Sequence, residues 1–143
     1  MRILFVCLGN ICRSPMAGGI LKARSGEVGT ELEVRTAGLV AQTGLGLSEN
    51  SVTAMREIGI DITADHPDQL DRHLIDWADL VVPMERRQGQ EIANSFPESG
   101  HKIHELDEDI RDPYGSDLPA YRHCRDRIAE AVQELIPQLT TDH

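Results

Sequence analysis

Apolar residues open the chain as an unbroken run, Ile3-Leu4-Phe5-Val6-Cys7. A run that short, with no polar alternation, fits a strand buried on both faces. Gly9 and Asn10 end it, and Ser14-Pro15 follows. Serine before proline predicts a helix start, with Ser14 as N-cap and Pro15 at the first helical position. Met16, Ile20 and Leu21 supply that helix with an apolar stripe. Gly18 and Gly19 each cost it roughly 1 kcal/mol against alanine, a cost that points to close packing. Residues 32–36 read as a second strand ended by Ala37-Gly38, and residues 39–47 as a glycine-rich loop. Ser48 caps a helix carrying Val52, Met55 and Ile58, which Gly59 stops. Residues 74–77 read as a short helical turn, 79–83 as a third strand, and 85–96 as a helix. Residues 102–106 read as a fourth, weaker strand, followed by an acidic segment over 107–117. Tyr121, Cys124, Ile128, Val132, Leu135 and Leu139 recur at spacings of three and four and mark a final helix.

Strands alternating with helices predict an α/β fold: a parallel sheet with helices on both faces. Right-handed crossovers favour a doubly wound, four-stranded order of 2-1-3-4 in a single domain over residues 1–143. Ligands of such sheets bind beyond the strand C-terminal ends, where the order reverses beside strand 1. Residues 7–14 leave strand 1 at that edge.

Composition narrows the function. Aromatic residues are only 3% of the chain, so aliphatic residues and methionine must build the core. The formal net charge of -10 repels a phosphate backbone and argues against nucleic acid as a partner. A site for any phosphorylated substrate must therefore supply its own positive field. Nothing resembles a membrane span or a signal peptide. Three cysteines, with no disulfide-framework spacing, fit a reducing cytoplasm.

The segment Cys7-Leu8-Gly9-Asn10-Ile11-Cys12-Arg13-Ser14-Pro15 carries the chemistry. It runs from a strand into a helix N-terminus, where successive backbone N–H groups can turn inward as an anion nest. Gly9 is the expected site of unusual backbone angles. Arg13 offers a planar fork matched to two phosphate oxygens. A thiol at the base of this field is favoured as thiolate, with the Ser14 hydroxyl as donor. Such a thiolate is a nucleophile aimed at phosphorus: it displaces an alcohol or phenol, leaves a phosphocysteine, and water then hydrolyses it. The bland alternative is a buried strand-end cysteine and a surface arginine. The leaving oxygen needs a proton, and Asp112-Pro113-Tyr114 follows the fourth strand at the same sheet edge. Asp107 and Asp109 are rivals for that role. Cys124 falls on the apolar stripe of the last helix and reads as core. His101 and His104 lack a third ligand and read as solvated.

The run from Val6 to Ala17, with Asp112-Pro113-Tyr114 about a hundred residues later, resembles the low-molecular-weight protein tyrosine phosphatases. Thr36-Ala37-Gly38, Gly59-Ile60-Asp61 and Ala78-Asp79-Leu80 fall in family order. The resemblance implies Cys7 as nucleophile, Arg13 as phosphate ligand and transition-state stabiliser, and Asp112 as general acid and then base. Substrate contacts then fall on Leu8, Gly9, Asn10, Ile11, Cys12, Ser14 and Tyr114, with Asn10 holding the loop's shape and Ser14 supporting the thiolate. It implies no metal and no cofactor. The expected partner is a phosphorylated protein, with phosphotyrosine as the preferred residue, and the expected state is a monomer or weak homodimer. A reversible Cys7–Cys12 disulfide is also implied.

Departures from the family pattern are informative. Gly115 follows Tyr114 where many members carry a second aromatic, and Leu45 and Leu47 stand in a loop that often supplies another. The short Asp-Pro-aromatic-Gly form resembles bacterial members, including the protein-arginine phosphatases. Those tend to carry threonine where this chain has Ile11, which resembles the tyrosine-directed branch. A histidine that braces the loop in many members falls near Asp65, and here His66 follows instead. Arsenate reductases share the scaffold, but usually have glutamine at the position of Pro15 and further cysteines near residues 80–90.

Overall fold

The opening apolar run becomes the central strand. The computed structural model describes residues 1–140; the last three residues of the expected 1–143 domain lie outside the described residues. β1 spans Arg2–Cys7, α1 Arg13–Ala23, β2 Glu33–Gly38, α2 Glu49–Arg56, α3 Arg72–Trp77, β3 Leu80–Pro83, α4 Arg86–Ser95 and α5 Leu118–Thr140. Short 3₁₀ turns occupy Ser25–Glu27 and Pro97–Lys102. The strands are parallel in the order β2-β1-β3.

Period-two alternation along β1 sorts its side chains onto two faces. Ile3, Phe5 and Cys7 join Met16 and Leu21 of α1 and Ile128, Val132 and Leu135 of α5 in one core cluster. Leu4 and Val6 join Leu74 and Ile75 of α3 and Ile92 of α4 in the other. Both faces are covered, as the unbroken apolar run requires. Burying Met16, Leu21 or Leu135 fully contributes roughly 1.5–3 kcal/mol each.

The sheet has three strands, not the expected four. Residues 102–106 contribute one bridge, Val81 to Ile103, with His104 N–H donating to Val81 O at 2.8 Å. The reason lies in Pro83. Met84 N–H donates to Val6 O, so its preceding residue faces the sheet's outer edge. That residue is proline, which has no N–H to continue the ladder.

The two glycines of α1 are explained by contact. A Cβ on Gly18 would lie 2.8 Å from Thr36 Cγ2 on β2, and one on Gly19 would lie 2.9 Å from Ile62 Cγ2. α1 therefore lies tight against β2. Among the described residues, no helix is long and apolar enough to cross a membrane.

Candidate active site

The loop from β1 to α1 is held by its carbonyls. Leu39 N–H donates to Cys7 O, Val40 to Leu8 O, Gln42 to Gly9 O and Ser48 to Ile11 O, all at 2.9–3.0 Å. With its oxygens turned toward residues 39–48, the loop keeps the amide N–H groups of Leu8 to Cys12 without a protein acceptor among the described residues. This is the polarity an anion nest requires. Gly38 permits the close approach, because a Cβ there would sit 2.9 Å from Leu8 O.

The left-handed residue of the loop is Asn10, with φ 57°, and not Gly9 as expected from glycine's freedom. Asparagine tolerates this region better than other side-chain-bearing residues. Its amide then fixes the loop from within. Asn10 Nδ2 donates to Ser14 Oγ at 2.8 Å and to Thr36 Oγ1 at 3.0 Å. Asn10 Oδ1 accepts from Asp68 N–H at 2.8 Å. Gly18 makes the room that Thr36 needs, so a helix glycine and the site are linked through one threonine.

Ser14 is not a helix cap. Cys12 takes the N-cap position, and Ser14 and Pro15 lie inside the first turn. The Ser14 hydroxyl instead lies 3.0 Å from Cys7 Sγ. Because Asn10 already donates to Ser14 Oγ, the serine proton is available to the sulfur. The histidine brace is absent: the His66 side chain is exposed and approaches only Asp68, at 3.8 Å. The Asp68 amide on Asn10 takes its place.

Arg13 is 1% exposed and points across the sheet edge. Its Nη1 donates to Glu85 Oε2 and to Ile110 O, both at 2.8 Å. Its Nη2 lies 3.6 Å from Asp112 Oδ2. Burial opposes its charge, but the Glu85 hydrogen bond and the facing Cys7 and Asp112 outweigh burial and hold its pKa above the ordinary value. Its Nε is buried and has no hydrogen-bond partner. Sequence reasoning missed Glu85. Glu85 also accepts from Gln88 Nε2 at 3.0 Å, while its own N–H donates to Gln88 Oε1 at 3.1 Å. The only sequence signal was a carboxylate at the end of β3, on the same sheet edge as Cys7.

Cys7 and Arg13 open into a pocket of about 220 Å³. Leu8, Gly9, Ile11, Cys12, Asp112 and Tyr114 line it. Gln42 also lines it and was not anticipated. Asn10 and Ser14 lie behind the wall, fully buried. Asp112 Oδ1 accepts from Tyr114 N–H at 3.0 Å, so the carboxylate stiffens its own loop. Rivals Asp107 and Asp109 do not line this pocket; Asp109 accepts from Arg86 N–H at 2.9 Å.

All three cysteines are free and buried. Burial pushes the Cys12 thiol up, and its sulfur lies 3.5 Å from Tyr121 Oη. Cys124 packs in the core and is pushed up to about 12, chiefly by burial.

The family described as low molecular weight phosphotyrosine protein phosphatase matches residues 2–143. A protein-arginine-phosphatase of Geobacillus stearothermophilus is 36% identical, over 99% of this chain and 97% of its own. A probable low molecular weight protein-tyrosine-phosphatase, EpsP, of Ralstonia nicotianae is 36% identical, over 96% and 94%. An arsenate reductase of Halalkalibacterium halodurans is 34% identical, over 92% and 91%. Among solved structures, the YwlE arginine phosphatase, as a cysteine-to-serine mutant with a phosphorylated active-site serine, superposes with a TM-score of 0.94 at 32% identity, covering 100% and 98% of the two chains. The chain belongs to the low-molecular-weight phosphotyrosine protein phosphatase family.

Proposed function

We propose that the protein hydrolyses phosphotyrosine on proteins, with Cys7 as nucleophile, Arg13 as phosphate clamp and Asp112 as general acid. One observation supports this most directly: the buried, unpartnered Nε of Arg13 on a loop whose N–H groups have no protein acceptor among the described residues and which starts at the Cys7 sulfur. These donors match the equatorial oxygens of a phosphoryl group in flight. The Cys7 thiolate attacks phosphorus while the phenol oxygen leaves, taking the Asp112 proton. Asp112, now a carboxylate, accepts a proton from water as that water attacks the phosphocysteine. Cys7 departs as thiolate, stabilised by the Ser14 hydroxyl.

The phosphotyrosine preference rests on the wall. Leu8, Ile11 and Tyr114 present apolar surface to the substrate's ring. Ile11 offers a phosphoarginine guanidinium no acceptor, which leaves Asp112 and Gln42 as the lining groups able to accept from it. The second reading, protein-arginine phosphatase, is favoured by the single aromatic before Gly115 and by the relatives so named. Arsenate reduction needs resolving thiols, and the one cysteine away from the loop, Cys124, packs in the core and does not line the Cys7 pocket. We place the protein in the cytoplasm, which its three free thiols support, and take it to act as a monomer or weak homodimer.

The test uses reduced, metal-free protein on an aryl phosphate, a phosphotyrosine peptide and a phosphoarginine peptide, beside Cys7→Ser. Aryl phosphate and phosphotyrosine turnover, lost in Cys7→Ser, supports the proposal. Faster phosphoarginine turnover moves the protein to the second reading, and wild-type inactivity on all three rejects both.

A further inference from the structure

Five large apolar side chains stand exposed among the described residues: Leu8 at 49%, Val40 at 63%, Leu45 at 54%, Ile58 at 45% and Tyr114 at 62%. Four of the five lie on the Cys7 loop, on the segment hydrogen-bonded to it, or beside Asp112. Leu8 and Tyr114 line the pocket itself. Val40 N–H donates to Leu8 O, which places Val40 beside Leu8 on the rim. Leu45 N–H closes a turn on Gln42 O at 3.0 Å, and Gln42 is a lining residue. Scattered single apolar residues need no explanation, but a cluster around one opening does.

Charge separates this rim from the rest of the surface. Residues 8–12 and 37–48 contain no charged side chain, in a chain of net charge -10. Of the acidic segment over 107–112, Asp112 alone lines the pocket, so one carboxylate faces a substrate there. The pocket, at about 220 Å³, has room for one phosphorylated side chain. Residues next to that side chain in a protein substrate must therefore land on the rim.

Resting on the phosphatase reading above, we infer that Leu8, Val40, Leu45 and Tyr114 form an apolar collar that selects substrates whose phosphorylated residue is flanked by apolar side chains. A substrate with polar neighbours gains nothing from the collar, and one with acidic neighbours also meets the Asp112 carboxylate. Half-covering two apolar side chains corresponds to a preference of about tenfold in kcat/KM, equivalent to about 1.4 kcal/mol.

The experiment compares two phosphotyrosine peptides of equal length, one with leucine and valine at the flanking positions and one with serine and asparagine. p-Nitrophenyl phosphate, which reaches Leu8 and Tyr114 in the pocket but not Val40 or Leu45, is the internal reference. The wild type is expected to favour the apolar peptide by about tenfold, and the double variant Val40→Ser/Leu45→Ser to bring the two peptides within about twofold of each other while its ratio of polar peptide to reference holds. Turnover of the reference with no difference between the peptides overturns the collar and leaves the phosphatase reading standing. Loss of turnover on the reference itself overturns both. A wild-type dimer that Leu45→Ser dissolves, together with equal peptides, assigns the collar to a second copy of this chain and also overturns the inference.

Discussion

Replacing Asn10 removes the piece on which the loop's shape depends. Its side chain makes three hydrogen bonds, to Ser14 Oγ, Thr36 Oγ1 and the Asp68 N–H, from a backbone at φ 57°. Each bond contributes about 0.5–1.5 kcal/mol net, and the Asp68 amide left without its acceptor adds about 1–3 kcal/mol. Alanine also bears about 1 kcal/mol for the left-handed backbone. Asn10→Ala is thus expected to lose about 3.5–8.5 kcal/mol of unfolding free energy, a large share of the roughly 5–15 kcal/mol typical of a domain. Asn10→Gly relieves only the backbone cost and is expected to recover about 1 kcal/mol. Urea denaturation of the three proteins reads both differences. The same variants free the Ser14 hydroxyl from Asn10, so kcat on an aryl phosphate is expected to fall about 10- to 100-fold in each. Alanine and glycine variants of equal stability, or an Asn10→Ala protein within 1 kcal/mol of wild type with unchanged kcat, would refute the reasoning.

Other consequences are as direct. Glu85→Gln removes the charge that holds Arg13 Nη1 and lets the guanidinium turn toward Asp112, now 3.6 Å away. Its kcat/KM on an aryl phosphate is expected to drop at least tenfold, and a drop under twofold would show that Ile110 O alone positions Arg13. Asp112→Asn is expected to slow substrates with poor phenolic leaving groups about 10²-fold or more and to affect nitrophenol least; a uniform loss across leaving groups would remove Asp112 from the acid role. Gly18→Ala drives a methyl to 2.8 Å from Thr36 Cγ2 and is expected to cost about 1–3 kcal/mol in a melt; a stabilised variant would mean that Thr36 moves freely. Tyr121 is pushed up to about 12, chiefly by burial with the Cys12 hydrogen bond adding to it. Its proton is held more tightly folded than unfolded, so its contribution is intact below about pH 10 and is lost as pH rises from about 10 to 12. Urea curves should show the gap between wild type and Tyr121→Phe narrowing over that window, and a constant gap would contradict the burial cause.

Much of the site was legible because it is local. The apolar run, the loop after it and Arg13 lie within a dozen residues, and the sheet edge carries Asp112 to them. What escaped was long-range or directional. Glu85 meets Arg13 from 72 residues away, and only its place after β3 sets it apart among the acidic residues of this chain. Pro83 was visible, but not that its missing N–H would face the outer edge and end the sheet at three strands. Ser14 carried a capping signal that the Cys7 sulfur overrode, and Asn10 took the left-handed turn usually given to glycine because its amide gains three partners there. Gly18 and Gly19 looked costly until β2 and Ile62 were seen against α1.

The most direct measurement is acid quenching of Asp112→Asn during aryl phosphate turnover, followed by mass spectrometry of the peptide containing Cys7. A phosphoryl group on Cys7, absent from the same peptide of the Cys7→Ala/Asp112→Asn protein, is the expected result. Turnover with no adduct on that peptide, and with activity retained in Cys7→Ser, would contradict the covalent mechanism.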